Sequence, residues 1–94
     1  MVYMVIVFVE AKVESIEAVK SRMTEAGKIY EKDPGTIEFS LQQDVSNPQK
    51  FILVERYDKQ SSHADHKQNP IFEETMKWLK ENVTKPNEPH HINL

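Results

Sequence analysis

The chain contains no cysteine, which excludes disulfides, thiolate metal centres and a cysteine nucleophile, and suits a reducing compartment. It also lacks an excess of positive charge. Lys and Arg number 12 against 15 Asp and Glu, a formal net charge of −3, and the basic residues lie among the acidic ones without forming a stripe. Nucleic acid and anionic membrane are therefore not expected as partners. Long apolar runs are missing as well. The opening run Met1 to Val9 (MVYMVIVFV) ends at Glu10, well short of the roughly 20 residues that span a bilayer. It has neither the basic flank nor the small-residue cleavage site of a secretory signal. No internal repeat or low-complexity tract is present. The expectation is a soluble cytoplasmic protein of one domain over residues 1–94, with a linker and a short closing strand over 85–94.

What is present follows two periods. Val2 to Val9 is short and rich in β-branched and aromatic residues, as a buried strand is. In VESIEAVKSRMTEAGKIYEKD, Val13, Ile16, Val19, Met23, Ala26 and Tyr30 recur at helical spacing; Gly27 weakens the helix late and Asp33-Pro34-Gly35 stops it. TIEFSLQQD alternates, with Ile37, Phe39 and Leu41 on one face. A turn at Ser46-Asn47-Pro48-Gln49 joins it to KFILVERY as a hairpin. Two helices are expected near Ser61–Gln68 and Pro70–Val83, the first opened by a Ser62/Asp65 capping box. KPNEP reads as a linker and HHINL as a last short strand. Strand, helix, two strands, helix, strand is the order of a ferredoxin-like βαββαβ fold, α+β with an antiparallel sheet.

The first and third strands are apolar on both faces. Met4, Ile6 and Phe8 alternate with Tyr3, Val5, Val7 and Val9, and Phe51 and Leu53 with Ile52 and Val54. Helices cover one side of such a sheet. Leaving four large side chains of the other side in water forgoes about 6–12 kcal/mol, at roughly 1.5–3 each. That is comparable with the whole stability of a domain, about 5–15 kcal/mol. The expected remedy is a second copy of the chain, two sheets closing face to face into a dimeric α+β barrel; a cover made from the chain's own loops or tail is the other solution.

In ADHKQNPIF the proline forces Asn69 out of the helical region and lets it cap a new helix starting at Pro70. The break separates His66 from Phe72, so that the two can approach one cavity from different directions. Glu55 and Tyr57 share a strand face with Phe51 and Leu53, a polar pair on an apolar wall, as ligand pockets are built. Other roles stay open for each. His66 either serves as a base or hydrogen-bonds the backbone at the break. Glu55 either orients a polar partner or accepts from nearby amides. Tyr57 is either a hydrogen-bonding group or a core aromatic. His63, one helical turn before His66, and the adjacent His90 and His91 suggest a metal, but no third ligand falls at a suitable spacing. No metal site is expected, and His63 is read as exposed. Phe72, Met76, Leu79 and Val83 form a core stripe that Trp78 falls outside.

The stretch from Asp33 to Phe72 resembles the antibiotic biosynthesis monooxygenase family, which includes small quinol monooxygenases of the dimeric α+β barrel type. The resemblance rests on Asp33-Pro34-Gly35 leading into a strand with Phe39, on the turn residues Asp44, Asn47 and Pro48, on Glu55-Arg56-Tyr57, and on His66 four residues before Pro70 with Phe72 beyond. Tyr57 stands where the family usually has Trp, Asn69-Pro70 replaces a commoner Ser-Pro, and the closing aromatic is absent from Ile92-Asn93-Leu94. The first strand offers no polar group beyond the Tyr3 hydroxyl, which argues against the haem-degrading branch. The resemblance implies a homodimeric oxygenase that uses no cofactor. A quinol or polyketide-like hydroxy-aromatic loses a proton to His66, and its anion passes electrons directly to dioxygen. Glu55, Tyr57, Phe51, Leu53, Phe72 and Asn69 would then border the substrate. Two further readings belong to the same scaffold: an isomerase or lyase acting on a small hydroxylated or phosphorylated carbonyl compound, with Arg56 or Lys67 as the cation, and a non-catalytic dimer that binds a hydrophobic metabolite.

Overall fold

The period-two runs become strands and the longer period becomes helix. The computed structural model describes residues 2–93; Met1 of the opening run and Leu94 of the expected last strand lie outside them. Among the described residues the elements are β1 (Tyr3–Glu10), a 3-10 turn (Val13–Ser15), α1 (Ile16–Tyr30), β2 (Thr36–Gln43), β3 (Lys50–Tyr57), α2 (Gln60–His66), α3 (Phe72–Glu81) and β4 (Glu88–Asn93). The sheet runs β2-β3-β1-β4 with every neighbouring pair antiparallel. This is the ferredoxin-like βαββαβ arrangement that the element order predicts.

The core lies between the helices and one face of the sheet. Val9, Phe39, Phe51 and Leu53 from the strands are buried there against Val19, Met23 and Tyr30 of α1 and Leu79 of α3. Gly27 does more than weaken its helix. A Cβ at that position would sit 2.9 Å from the carbonyl oxygen of Phe39, so the missing side chain lets α1 close directly onto β2. At the other end of the break between α1 and β2, Gly35 adopts φ 83°, where a side chain would be strained. The hairpin turn is held by Asp44, whose carboxylate accepts from the amides of Ser46 at 2.7 Å and Asn47 at 2.9 Å.

Five local expectations are corrected. Val13 lies in the 3-10 turn, 67% exposed, rather than on the buried stripe of α1. The register of β2 shifts between Thr36 and Glu38, so Ile37 is the extra residue of a bulge and is 55% exposed. No capping box opens α2. Lys59 is its N-cap without a side-chain bond, and the Ser62 hydroxyl donates instead to Asp58. Finally, α3 begins two residues beyond Pro70, at Phe72, while Asn69 accepts from the Ile71 amide at 3.1 Å and so still satisfies the chain at the break. The last strand is longer than expected and takes in residues read as linker, because Pro89 and Glu88 pair with Val7 and Phe8 at the sheet edge.

The face away from the helices carries Met4, Ile6 and Phe8 of β1 beside Ile52 and Val54 of β3, with Ile92 of β4 opposite Met4. Phe8 is 45% exposed on this face, with the His90 ring edge-on to it at 5.4 Å. No helix among the described residues is long and apolar enough to cross a membrane.

Candidate active site

Where α2 breaks and α3 begins, the helices leave a cavity of about 280 Å³ over the middle of the sheet. Its floor is Val5 and Val7 of β1, Phe39 of β2, and Leu53 and Glu55 of β3. Phe72 and Met76 of α3 and the imidazoles of His63 and His66 form its walls, and Lys67 and the β4 edge complete them.

His66 is only 2% exposed and sits in an aromatic cage. Tyr30 lies edge-on to its ring at 4.4 Å and Phe72 at 5.2 Å, with Phe39 tilted at 5.7 Å. Its Nδ1 is buried without a hydrogen-bond partner among the described residues. The nearest acid, Asp33, is 3.6 Å away, too far for a hydrogen bond but near enough to favour a positive ring. Burial dominates and pushes the His66 pKa below its ordinary value, with Asp33 opposing it. Burial thus favours the neutral ring. Asp33 is itself fixed by the Asn69 side-chain amide, which donates to both of its carboxylate oxygens at 2.9 and 3.1 Å.

Glu55 sits on the cavity floor, 6% exposed, flanked across the sheet by Val5 and Phe39. Tyr57, fully buried, donates its hydroxyl proton to Glu55 Oε1 at 2.6 Å. Desolvation raises the Glu55 pKa to about 7 despite the Tyr57 hydrogen bond and the Lys67 charge, both of which lower it. The same burial, together with the Glu55 charge, raises the Tyr57 hydroxyl above its usual range.

The histidines beside this centre differ from expectation in one respect. His63 is not exposed: it is 8% accessible and packs between Tyr57 at 5.1 Å and Tyr3 at 5.5 Å. Its pKa falls to about 4, chiefly by desolvation, with Lys67, His66 and His91 adding to the effect. His90 and His91 do point to opposite faces, His91 accepting or donating at Nδ1 with the Tyr3 hydroxyl at 2.7 Å. No group of three or more metal-ligating side chains is found among the described residues.

The structure thus brings His66, Glu55, Leu53 and Phe72 to one cavity and puts Tyr57 directly behind Glu55. Phe51 lies elsewhere, in the core under α1 and α3. Asn69 reaches the site only through Asp33. Arg56 points to the other side of the sheet, paired with Glu38 at 3.3 Å, whereas Lys67 borders the cavity. Sequence reasoning missed His63, His91 and Met76 as cavity residues, and Asp33 as the charge beside His66. For Met76 and His91, the alternation of helix and strand was the available signal.

The ferredoxin-like α+β domain thus carries, between sheet and helices, a cavity with aromatic walls that brings together the His66 imidazole and the Glu55 carboxyl. The sequence model of the antibiotic biosynthesis monooxygenases matches residues 2–78, and the chain belongs to that family. Solved structures agree on the fold. A Nitrosomonas europaea protein provisionally described as an antibiotic biosynthesis monooxygenase superposes with TM-score 0.93 at 22% identity, over 98% of this chain and 88% of that one. A conserved Methanosarcina mazei Go1 protein gives 0.94 at 19% identity, over 99% and 92%. A Mycobacterium tuberculosis protein gives 0.92 at 15%, over 100% and 95%. No curated protein matches the sequence.

Proposed function

We propose that this protein is a cofactor-independent monooxygenase that oxidises a quinol or polyketide-like hydroxy-aromatic with dioxygen, and that it works as a homodimer. The observation that carries this reading is His66, an imidazole caged by aromatic rings on the wall of the cavity. Nδ1 looks toward Asp33, which leaves Nε2 to take the hydroxyl proton of a ring held between Phe39 and Phe72. The imidazolium so formed meets the waiting Asp33 carboxylate, and the substrate anion, shielded from water, passes its electrons to dioxygen. A cavity near 280 Å³ is at the small end for ligand sites and suits one or two fused rings. The apolar sheet face with Met4, Ile6, Phe8, Ile52 and Val54 supports the two-fold pairing of sheets.

An oxygen electrode tests the chemistry. 1,4-Naphthohydroquinone, reduced anaerobically and then mixed with oxygen, is expected to be consumed faster with the wild-type protein than with His66→Ala, by about 10²-fold or more in kcat/KM. Equal rates would remove His66 from the reaction. Saturable binding without turnover would favour a binding protein, and isomerisation of a carbonyl compound without oxygen uptake would favour the isomerase reading.

A further inference from the structure

Oxidation of a hydroxy-aromatic by dioxygen needs a proton acceptor and also a proton donor, and the mechanism above uses only the first. The cavity floor holds a second titratable group. We propose that Glu55 is the acid of this reaction, delivering a proton to the reduced oxygen while His66 holds the proton taken from the substrate. The proposal rests on the oxygenase reading.

The geometry carries it. Glu55 is the one carboxyl lining the cavity among the described residues. Val5 and Phe39 flank it across the sheet. A carboxyl in that position is costly unless it is neutral or paired. Among the described residues its one hydrogen bond is that donated by Tyr57 to Oε1, which does not call for a proton on that oxygen and leaves the second oxygen without a partner there. The titratable groups around it are Tyr57 of its own strand, His63 and His66 of α2, Lys67 just beyond, His91 of β4 and, from α1, Tyr30, whose hydroxyl is pushed up chiefly by burial and least by the Glu55 charge. Burial outweighs the Tyr57 hydrogen bond and the Lys67 cation and raises the carboxyl pKa to about 7. His66 in the same cavity is pushed the opposite way. Two groups whose environments separate their proton affinities in this direction divide into acid and base.

The steps balance. The substrate hydroxyl gives its proton to His66, and the ring carbon of the anion forms a C–O bond to dioxygen, two electrons passing from ring to oxygen. Glu55 protonates the terminal oxygen of this peroxide. The Glu55 carboxylate then takes the proton from the same ring carbon, the O–O bond breaks, and a quinone carbonyl and hydroxide result. Hydroxide takes the proton from His66 and leaves as water. One oxygen atom ends in the quinone, the other in water, and both residues return to their starting states.

The test combines infrared titration of the free protein with oxygen uptake on 1,4-naphthohydroquinone. A protonated-carboxyl band is expected in wild type that disappears near pH 7. It should be absent from Glu55→Gln, in which the amide oxygen still accepts from Tyr57, and move to higher pH in Tyr57→Phe. Glu55→Gln is expected to lose about 10²-fold in kcat with KM within threefold, while still ionising bound 4-nitrophenol, a non-oxidised probe whose phenolate is yellow. Wild-type kcat in Glu55→Gln, or no such band, overturns the acid's role and leaves the oxygenase reading intact. A wild-type protein that consumes no oxygen while its band titrates normally overturns the oxygenase reading, and the acid's role with it.

Discussion

The Asp33 carboxylate stands 3.6 Å from Nδ1 of His66, held there by two hydrogen bonds from Asn69 across the helix break. Asp33 favours the protonated ring, against the burial that disfavours it. Asp33→Asn is therefore expected to lower the His66 pKa further, read from the imidazole proton shifts by NMR titration. An unchanged or raised value would show that the carboxylate does not act on the ring.

The buried histidine and the buried acid give opposite pH dependences of stability. Glu55 is raised from 4.5 to about 7, so the folded chain holds its proton longer; that contribution is full below pH 4.5 and is lost as pH rises through 7. His63 is depressed from 6.5 to about 4, so its contribution is full above 6.5 and is lost as pH falls toward 4. The two slopes oppose each other over most of the same window. In Tm measurements from pH 6.5 to 4.5, Glu55→Gln should lose stability on acidification more steeply than wild type, and His63→Gln less steeply. Parallel curves for all three proteins would contradict these assignments.

Gly27 is the contact between α1 and β2. Alanine is the better helix former, yet its Cβ would lie 2.9 Å from the Phe39 carbonyl oxygen. Gly27→Ala should cost about 1–3 kcal/mol, as overpacking does, in denaturant unfolding. Because Phe39 also lines the cavity, the variant should bind 4-nitrophenol more weakly. A stabilised Gly27→Ala would mean that propensity outweighs the contact.

On the opposite face, Phe8 and Ile52 are directly opposed across the two central strands. Phe8→Glu places a charge at the centre of the proposed two-fold interface. Sedimentation of wild type at micromolar concentration is expected to give twice the 11.0 kDa chain mass, and Phe8→Glu the single-chain mass. An 11.0 kDa wild type would leave the apolar face unexplained by pairing.

Much of this was legible in the chain because strand and helix periods fix which side chains share a face. The alternation of KFILVERY places Leu53, Glu55 and Tyr57 together, and the proline break sets His66 apart from Phe72. What could not be read depends on packing across elements. A bulge turns Ile37 outward, which alternation does not foresee. His63 reads as a polar residue on an exposed helix until Tyr3 and Tyr57 close over it. Asp33 looks like turn chemistry, and only the tertiary fold brings it to His66. Phe51 obeys the same alternation as Leu53 but falls beyond the cavity, under α1 and α3.

The most direct measurement is a crystal structure of the protein soaked anaerobically with 1,4-naphthohydroquinone. The account predicts the ring between Phe39, Phe72 and Met76, with one hydroxyl at His66 and the adjacent ring C–H toward Glu55. A ligand seated instead in the outer cleft of Tyr3, Gln60 and Gln68, or a cavity that stays empty at saturating concentration, would contradict it.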